Sequence, residues 1–283
     1  MSYINAVLRP FFDAILAPFV HMSPWVTLAP LALILAVVML LVFKKVSNQD
    51  GIEAVKRKIH AGFFEIRLFN DDLGAIMRAQ WDILRYNLRY LLLSLKPMLF
   101  MFIPILLLVA QLQFHYGYQG LTPGQNTLLT VNLTPKNVPQ GDITPADKPD
   151  AEISAPAGVN VETPALWIPS RHQLVWRLAA EKPGNYDLEV KVGGETVNKT
   201  AVATTSNSLI LRSPRRPSTG FFDQLLYPAE PPVPKNGVIE SIDLVYPDRD
   251  VNFFGWHVTW IIAFPILAIA LAFSLKGVFK VKI

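Results

Sequence analysis

Apolar positions along this chain change their rhythm several times. Pro24–Phe43 (PWVTLAPLALILAVVMLLVF) has no charged side chain, and Leu91–Leu112 has only Lys96. A third run, Phe254–Leu275, contains no Asp, Glu, Lys or Arg. A hydrocarbon core about 30 Å thick takes about 20 apolar helical residues, so membrane-crossing helices are expected at 24–43, 91–112 and 254–275. Within 1–22, Ile4, Val7, Leu8, Phe11, Phe12, Ile15, Leu16 and Phe19 recur at helical spacing, and Pro10 and Pro18 mark a kink and an end. That is the pattern of an amphipathic helix lying in a membrane interface, or packed on another subunit.

A helical hairpin is expected over 44–90. Gly51–Arg67 places Ile52, Val55, Ile59, Phe63 and Ile66 on one face, and Asn70-Asp71-Asp72 supplies a break and an N-cap. From Leu73 a second pattern runs through Ile76, Met77, Trp81, Leu84, Leu88 and Leu91 into the second apolar run. Its other side carries Arg78, Asp82, Arg85 and Arg89, spaced so that Asp82 can pair with Arg78 and Arg85.

Over 113–253 the period shortens to two, and sixteen of the chain's twenty-three prolines fall there. Leu174–Arg177, Tyr186–Val192 and Thr196–Thr204 read as strands, the last two joined by a Gly193-Gly194 turn. Lys182–Leu188 (KPGNYDL) resembles the tyrosine corner of immunoglobulin-like sandwiches, where a Tyr hydroxyl bonds back to the preceding loop, with Trp176 as the core plug. Pro135–Pro156 and Pro214–Pro234 read as loops. The expected fold is an α-helical integral membrane protein, three transmembrane helices plus a cytoplasmic helical hairpin, with an all-β, Ig-like sandwich outer domain at 113–253 and a basic tail at 276–283.

Charge orients this layout. The 44–96 segment is basic, and Lys276, Lys280 and Lys282 follow the third run. Segment 113–253 has twelve basic and fifteen acidic residues, a net of −3. The positive-inside rule therefore puts the hairpin and the tail in the cytoplasm, and the N-terminus and 113–253 outside. The pI near 9.2 reflects that asymmetry, and no nucleic-acid specificity is expected. No cleavable leader is expected ahead of the first run, because the first twenty residues lack a basic n-region and a small-residue cleavage site. The chain has no cysteine, which removes disulfides, thiolate catalysis and zinc–sulfur sites and favours a bacterial inner membrane.

Chemistry is sparse. His21, His60, His115, His172 and His257 are scattered, and no nucleotide, hydrolase or metalloprotease motif occurs. His257 reads as an interfacial residue of an aromatic belt, and Asp243, Asp248 and Asp250 are a weak calcium set. Arg212–Arg216 reads as a solvated loop near headgroups. No catalytic residue, cofactor or metal is expected, and the chain is read as no enzyme. Depth and polarity instead pick out Arg85, Arg89, Lys96 and Gln111 as lining a wet groove, with Met98 and Met101 as its adaptable apolar wall.

Lys56–Ile66 (KRKIHAGFFEI), Asn70–Arg89 (NDDLGAIMRAQWDILRYNLR) and Leu95–Ile105 (LKPMLFMFIPI), in this order of spans, resemble the YidC/Oxa insertase superfamily. The likeness is to its three-span members, the archaeal YidC-like proteins and their relatives in the eukaryotic endoplasmic-reticulum membrane complex. Those relatives lack a large domain between the last two spans. The resemblance implies a membrane-protein insertase or chaperone that moves short hydrophilic flanks across the bilayer through a polar groove. Its implied partners are the lipid bilayer and nascent or unfolded membrane proteins, with the ribosome or other membrane subunits as further candidates. The alternative is a non-catalytic scaffold or assembly subunit that docks a partner through its outer sandwich.

Overall fold

The computed structural model describes residues 2–20, 22, 24–135, 148–206, 209–253 and 256–281, with backbone alone at 2–4, 25, 251–253 and 256–257. Two compact units result, Met1–Thr27 with Leu107–Ile262, and Leu28–Leu106 with Ala263–Ile283.

The second unit is helical. Helix α2 (Pro24–Val46) and helix α4 (Leu73–Tyr116) pass through it, and both are long and apolar enough to cross a membrane. Between them lies α3 (Gln49–Leu68), opened by Asn48, whose Oδ1 accepts the Gly51 N–H at 2.9 Å. Asp72 caps α4 in the same way, accepting from Gly74 N (2.8 Å) and Ala75 N (3.1 Å).

The two arms of this hairpin meet through small residues. Ile52, Val55 and Gly62 of α3 are buried, as is Ala79 of α4. A Cβ on Gly62 would stand 2.6 Å from Ile83 Cγ1, so glycine sets how closely the arms approach. The Lys58 and Lys56 ammoniums lie over the Tyr86 and Tyr90 rings at 5.0 and 5.5 Å. Phe63, expected on the inner face, is instead exposed, because Gly62 occupies that contact. No ion pair joins Asp82 to Arg78 or Arg85, as suits exposed side chains that gain little by pairing in water.

Helix α4 continues unbroken through Pro97 and Pro104, so hairpin arm and apolar run are one element. The third apolar run differs from expectation. Among its described residues Trp260–Leu275 is helical, and Trp256–Thr259 is a strand paired with Asp250–Phe253. Val258 and Thr259 are β-branched and take the extended partner that residues 250–253 offer.

Among its described residues the first unit holds three antiparallel sheets, the pair of Asp250–Phe253 with Trp256–Thr259 and two larger ones that share a core. Strands β1 (Asn126–Leu133), β2 (Ala151–Ser154), β3 (Val159–Val161), β4 (Leu166–Ile168) and β5 (Gln173–Ala180) are followed by β6 (Gly184–Val192) and β7 (Glu195–Ala203). After β8 (Arg215–Arg216) come α5 (Phe221–Leu226), β9 (Ile239–Leu244), β10 (Asp250–Phe253), β11 (Trp256–Thr259) and α6 (Trp260–Leu275). One of the larger sheets has the order β3-β5-β1-β9-β8, with β4 also on β5, and the other is β2-β6-β7. Alternating residues of both, among them Leu129, Val131, Trp176, Leu188, Val190 and Ile242, form one apolar core. Gly193 and Gly194 turn β6 into β7 at φ of 55° and 84°, where a side chain would be strained. The Tyr186 hydroxyl donates to Lys182 O at 2.8 Å, bonding back to the preceding loop.

Helix α1 (Ser2–Leu16) belongs to this unit. Asn5 Nδ2 donates to Gln224 O (2.7 Å) and Arg9 Nη1 to Ala229 O (2.8 Å), while Phe12 and Leu16 are buried. The expected stripe is thus divided. Phe12 and Leu16 on one edge are buried, and Val7 and Phe11 remain exposed.

Candidate functional site

The residues singled out for a groove separate into three groups. Arg85, Arg89 and Lys96 are exposed and share one face of α4, since steps of four and seven residues return within about 40° of the starting direction. Met98 (exposed) and Met101 (buried) lie on nearly the opposite side of the same helix. Gln111 is buried in the first unit, about 22 Å of helix beyond Lys96. The trio is a cationic face, and neither the methionines nor Gln111 joins it. Sequence depth ranks residues along a helix axis and leaves their azimuth and their burial open.

A second constellation lies in the first unit, where three apolar helices begin or end. The Tyr116 hydroxyl, at the end of α4, donates to Thr27 Oγ1 of α2 at 2.8 Å, and Thr27 Oγ1 donates in turn to Pro24 O at 2.9 Å. Trp260, the first residue of α6, donates its indole N–H to Gln113 Oε1 at 2.7 Å, and its ring lies 6.0 Å from that of Tyr116. His115 is buried with Nε2 3.1 Å from Asp13 Oδ1. Two buried arginines serve the last turn of α4. Arg212 N donates to Phe114 O, Arg249 N to Gly117 O, and Arg249 Nη1 to His115 O at 3.1 Å. The first two of these bonds come from backbone N–H groups, and the third from a guanidinium, a cation at the negative end of the helix. Burial pulls each guanidinium down to about 10, which leaves both charged at neutral pH.

Arg212–Arg216 is therefore no solvated loop. Arg215 Nε pairs with Asp223 (3.2 Å), Arg215 Nη1 with Asp243 (3.6 Å), and the Arg215 guanidinium lies over the Tyr227 ring at 5.3 Å. Arg216 donates to Asn198 O. Asp243 belongs to this network, held also by Asn132 Nδ2 at 2.7 Å, and so is committed elsewhere than to a calcium set. Among the described residues no cluster of His, Asp or Glu is arranged to hold a metal. The side chain of His257, and all of His21, lie outside the described residues.

Lys199 and Glu230 form a buried ion pair. Lys199 Nζ donates to Glu230 Oε2 (2.8 Å) and Ser213 O (2.5 Å), Ser213 Oγ donates to Glu230 Oε2 (3.0 Å), and Thr200 N to Glu230 Oε1 (2.7 Å). Burial holds the lysine below its ordinary value, against the opposing pull of Glu230. One sign of it was readable in the sequence, because β7 alternation puts Lys199 inward with Val197 and Ala201. Its partner, far along the chain, had no such signal.

No family model, curated protein or solved structure matches this chain. Its chemistry must therefore be argued from these residues. They offer charge, hydrogen bonds and apolar surface.

Proposed function

We propose that the chain is a three-span integral membrane protein of the bacterial inner membrane, acting as an insertase or chaperone of the YidC/Oxa type. The N-terminus and the Ig-like sandwich lie outside, and the hairpin and the basic tail lie in the cytoplasm. The observation that carries this reading is where the ends of the apolar helices meet. Thr27, Gln113, Tyr116 and Trp260 join the start of α2, the end of α4 and the start of α6. At the other ends, Lys44 Nζ of α2 donates to Phe279 O beyond α6 at 3.0 Å. Such pairings suit an up-down-up passage with the basic ends on one side.

The short α6 supports a transport role. Its sixteen residues span about 24 Å, less than a hydrocarbon core about 30 Å thick. A short span is accommodated by local thinning of the bilayer. The exposed trio of Arg85, Arg89 and Lys96 leads along α4 to this region and attracts acidic flanks. Carrying one charge to a bilayer centre costs about 2.5 kcal/mol or more, so a thinner, cationic passage lowers the barrier. The Tyr186 corner, buried Trp176 and two-sheet core support the sandwich assignment.

Depletion followed by a membrane-proteome count tests the role. Proteins with short acidic translocated tails should fall, and Arg85→Gln, Arg89→Gln, Lys96→Gln together should reproduce the loss. The scaffold reading is favoured by one observation, the exposed Phe221 and Phe222 of α5. On that reading Phe221→Ser with Phe222→Ser would abolish function, and the charge-neutral triple variant would retain it.

A further inference from the structure

The hairpin leaves one apolar stripe of α4 uncovered. Leu73, Met77, Trp81, Leu84, Leu88 and Leu91 follow steps of four, four, three, four and three residues, which keeps them within about 80° of one another round the helix. Every one is exposed, Leu73 by 74 % and Trp81 by 69 %. Helix α3 covers a different face, the one bearing Ala79, Ile83, Tyr86 and Tyr90. A continuous apolar row of this length on a helix otherwise bounded by polar residues marks a docking surface.

The edges of the stripe differ in charge. Arg78, Arg85, Arg89 and Lys96 run along one side, and Gln80, Asn87 and Ser94 along the other. We propose that this face of α4 receives an amphipathic helix of a second polypeptide, apolar along its seam and acidic along the edge that meets Arg78, Arg85 and Arg89. Spacing at three and four residues is what knobs-into-holes packing of helices requires, and edge charges then select the partner.

Two other occupants fit less well. The inference rests on the three-span reading for its compartment, though not on the insertase role. On that reading the Leu91–Leu112 part of α4, about 33 Å long, crosses a core of about 30 Å with a tilt of at most about 25°. The unbroken helix then carries Leu73 about 27 Å from Leu91, beyond the reach of headgroups and acyl chains. A second copy, paired in parallel through the same stripe, would set its cations against the uncharged edge and gain no ion pair. An acidic edge gains several.

The test uses the full chain in lipid nanodiscs with a photocrosslinking residue at position 84. Two synthetic helical peptides serve as probes, both with a leucine stripe, one edged with glutamate and one with lysine. The glutamate peptide should be captured and the lysine peptide not, with Arg85→Glu plus Arg89→Glu lowering capture of the first by about tenfold and raising that of the second. Both arginines are exposed, so the hairpin survives these changes, as helical circular dichroism would verify. Equal capture of both peptides, capture of neither, or adducts mainly to lipid or to a second copy would each overturn the proposal. Capture is read without insertion, so its failure is separable from failure of the insertase reading.

Discussion

Lys199 Nζ stands 2.8 Å from Glu230 Oε2 with neither side chain more than 8 % exposed. A strand residue and a proline-flanked loop residue are thereby locked together under the sheet. Removing one partner leaves a buried charge alone, whereas removing both exchanges a costly pair for apolar packing. Glu230→Ala should therefore cost about 3–5 kcal/mol, and Lys199→Met with Glu230→Leu should recover most of it. Urea unfolding of the full chain in detergent, followed by tryptophan fluorescence, measures both. Equal loss in the single and double variants would show that the pair is not what holds the loop.

Tyr246 predicts the alkaline limit of the β-domain. Its hydroxyl oxygen accepts the Val202 N–H at 2.8 Å, and burial raises the phenol above its ordinary value of 10.0. Below pH 10 both folded and unfolded chains hold the proton, and this group adds no pH dependence. Above it the unfolded chain releases the proton first, so stability falls by up to about 1.4 kcal/mol per pH unit. Tyr246→Phe should flatten that part of the profile. At neutral pH it should cost about 1–3 kcal/mol, because Val202 N–H loses its acceptor.

Gly62 sets the spacing of the hairpin. Gly62→Leu drives a side chain into Ile83, and overpacking of this kind costs about 1–3 kcal/mol. Because the chain has no native cysteine, a pair placed at Lys58 and Tyr86 reports the distance cleanly. Crosslinking of that pair by a short bifunctional thiol reagent should be efficient with Gly62 and fall with leucine. Unchanged yield would mean that the arms are held elsewhere.

The same lack of thiols allows a topology test. Cysteine at Arg78 should react with an impermeant maleimide only from the cytoplasmic side, and cysteine at exposed Asn185 only from the outside. Labelling of both from one side would remove the three-span reading and the functional proposal with it.

What sequence alone determined were the features that repeat within a short stretch. Apolar runs, the cap at Asp72, the Gly193-Gly194 turn and the Tyr186 corner depend on neighbours a few residues away, and their spacing carries the physics. The cationic trio on α4 was legible for the same reason. Tertiary structure decided everything that depends on azimuth or on distant partners. Gly62 displaced Phe63 from the hairpin interface, residues 256–259 joined a strand, and Gln111 left the groove set. The backbone N–H of Arg212 and the guanidinium of Arg249 became donors to the last turn of a helix more than ninety residues upstream in the chain. A hydropathy pattern gives the free energy of leaving water, and only the assembled fold says which group is waiting on the other side.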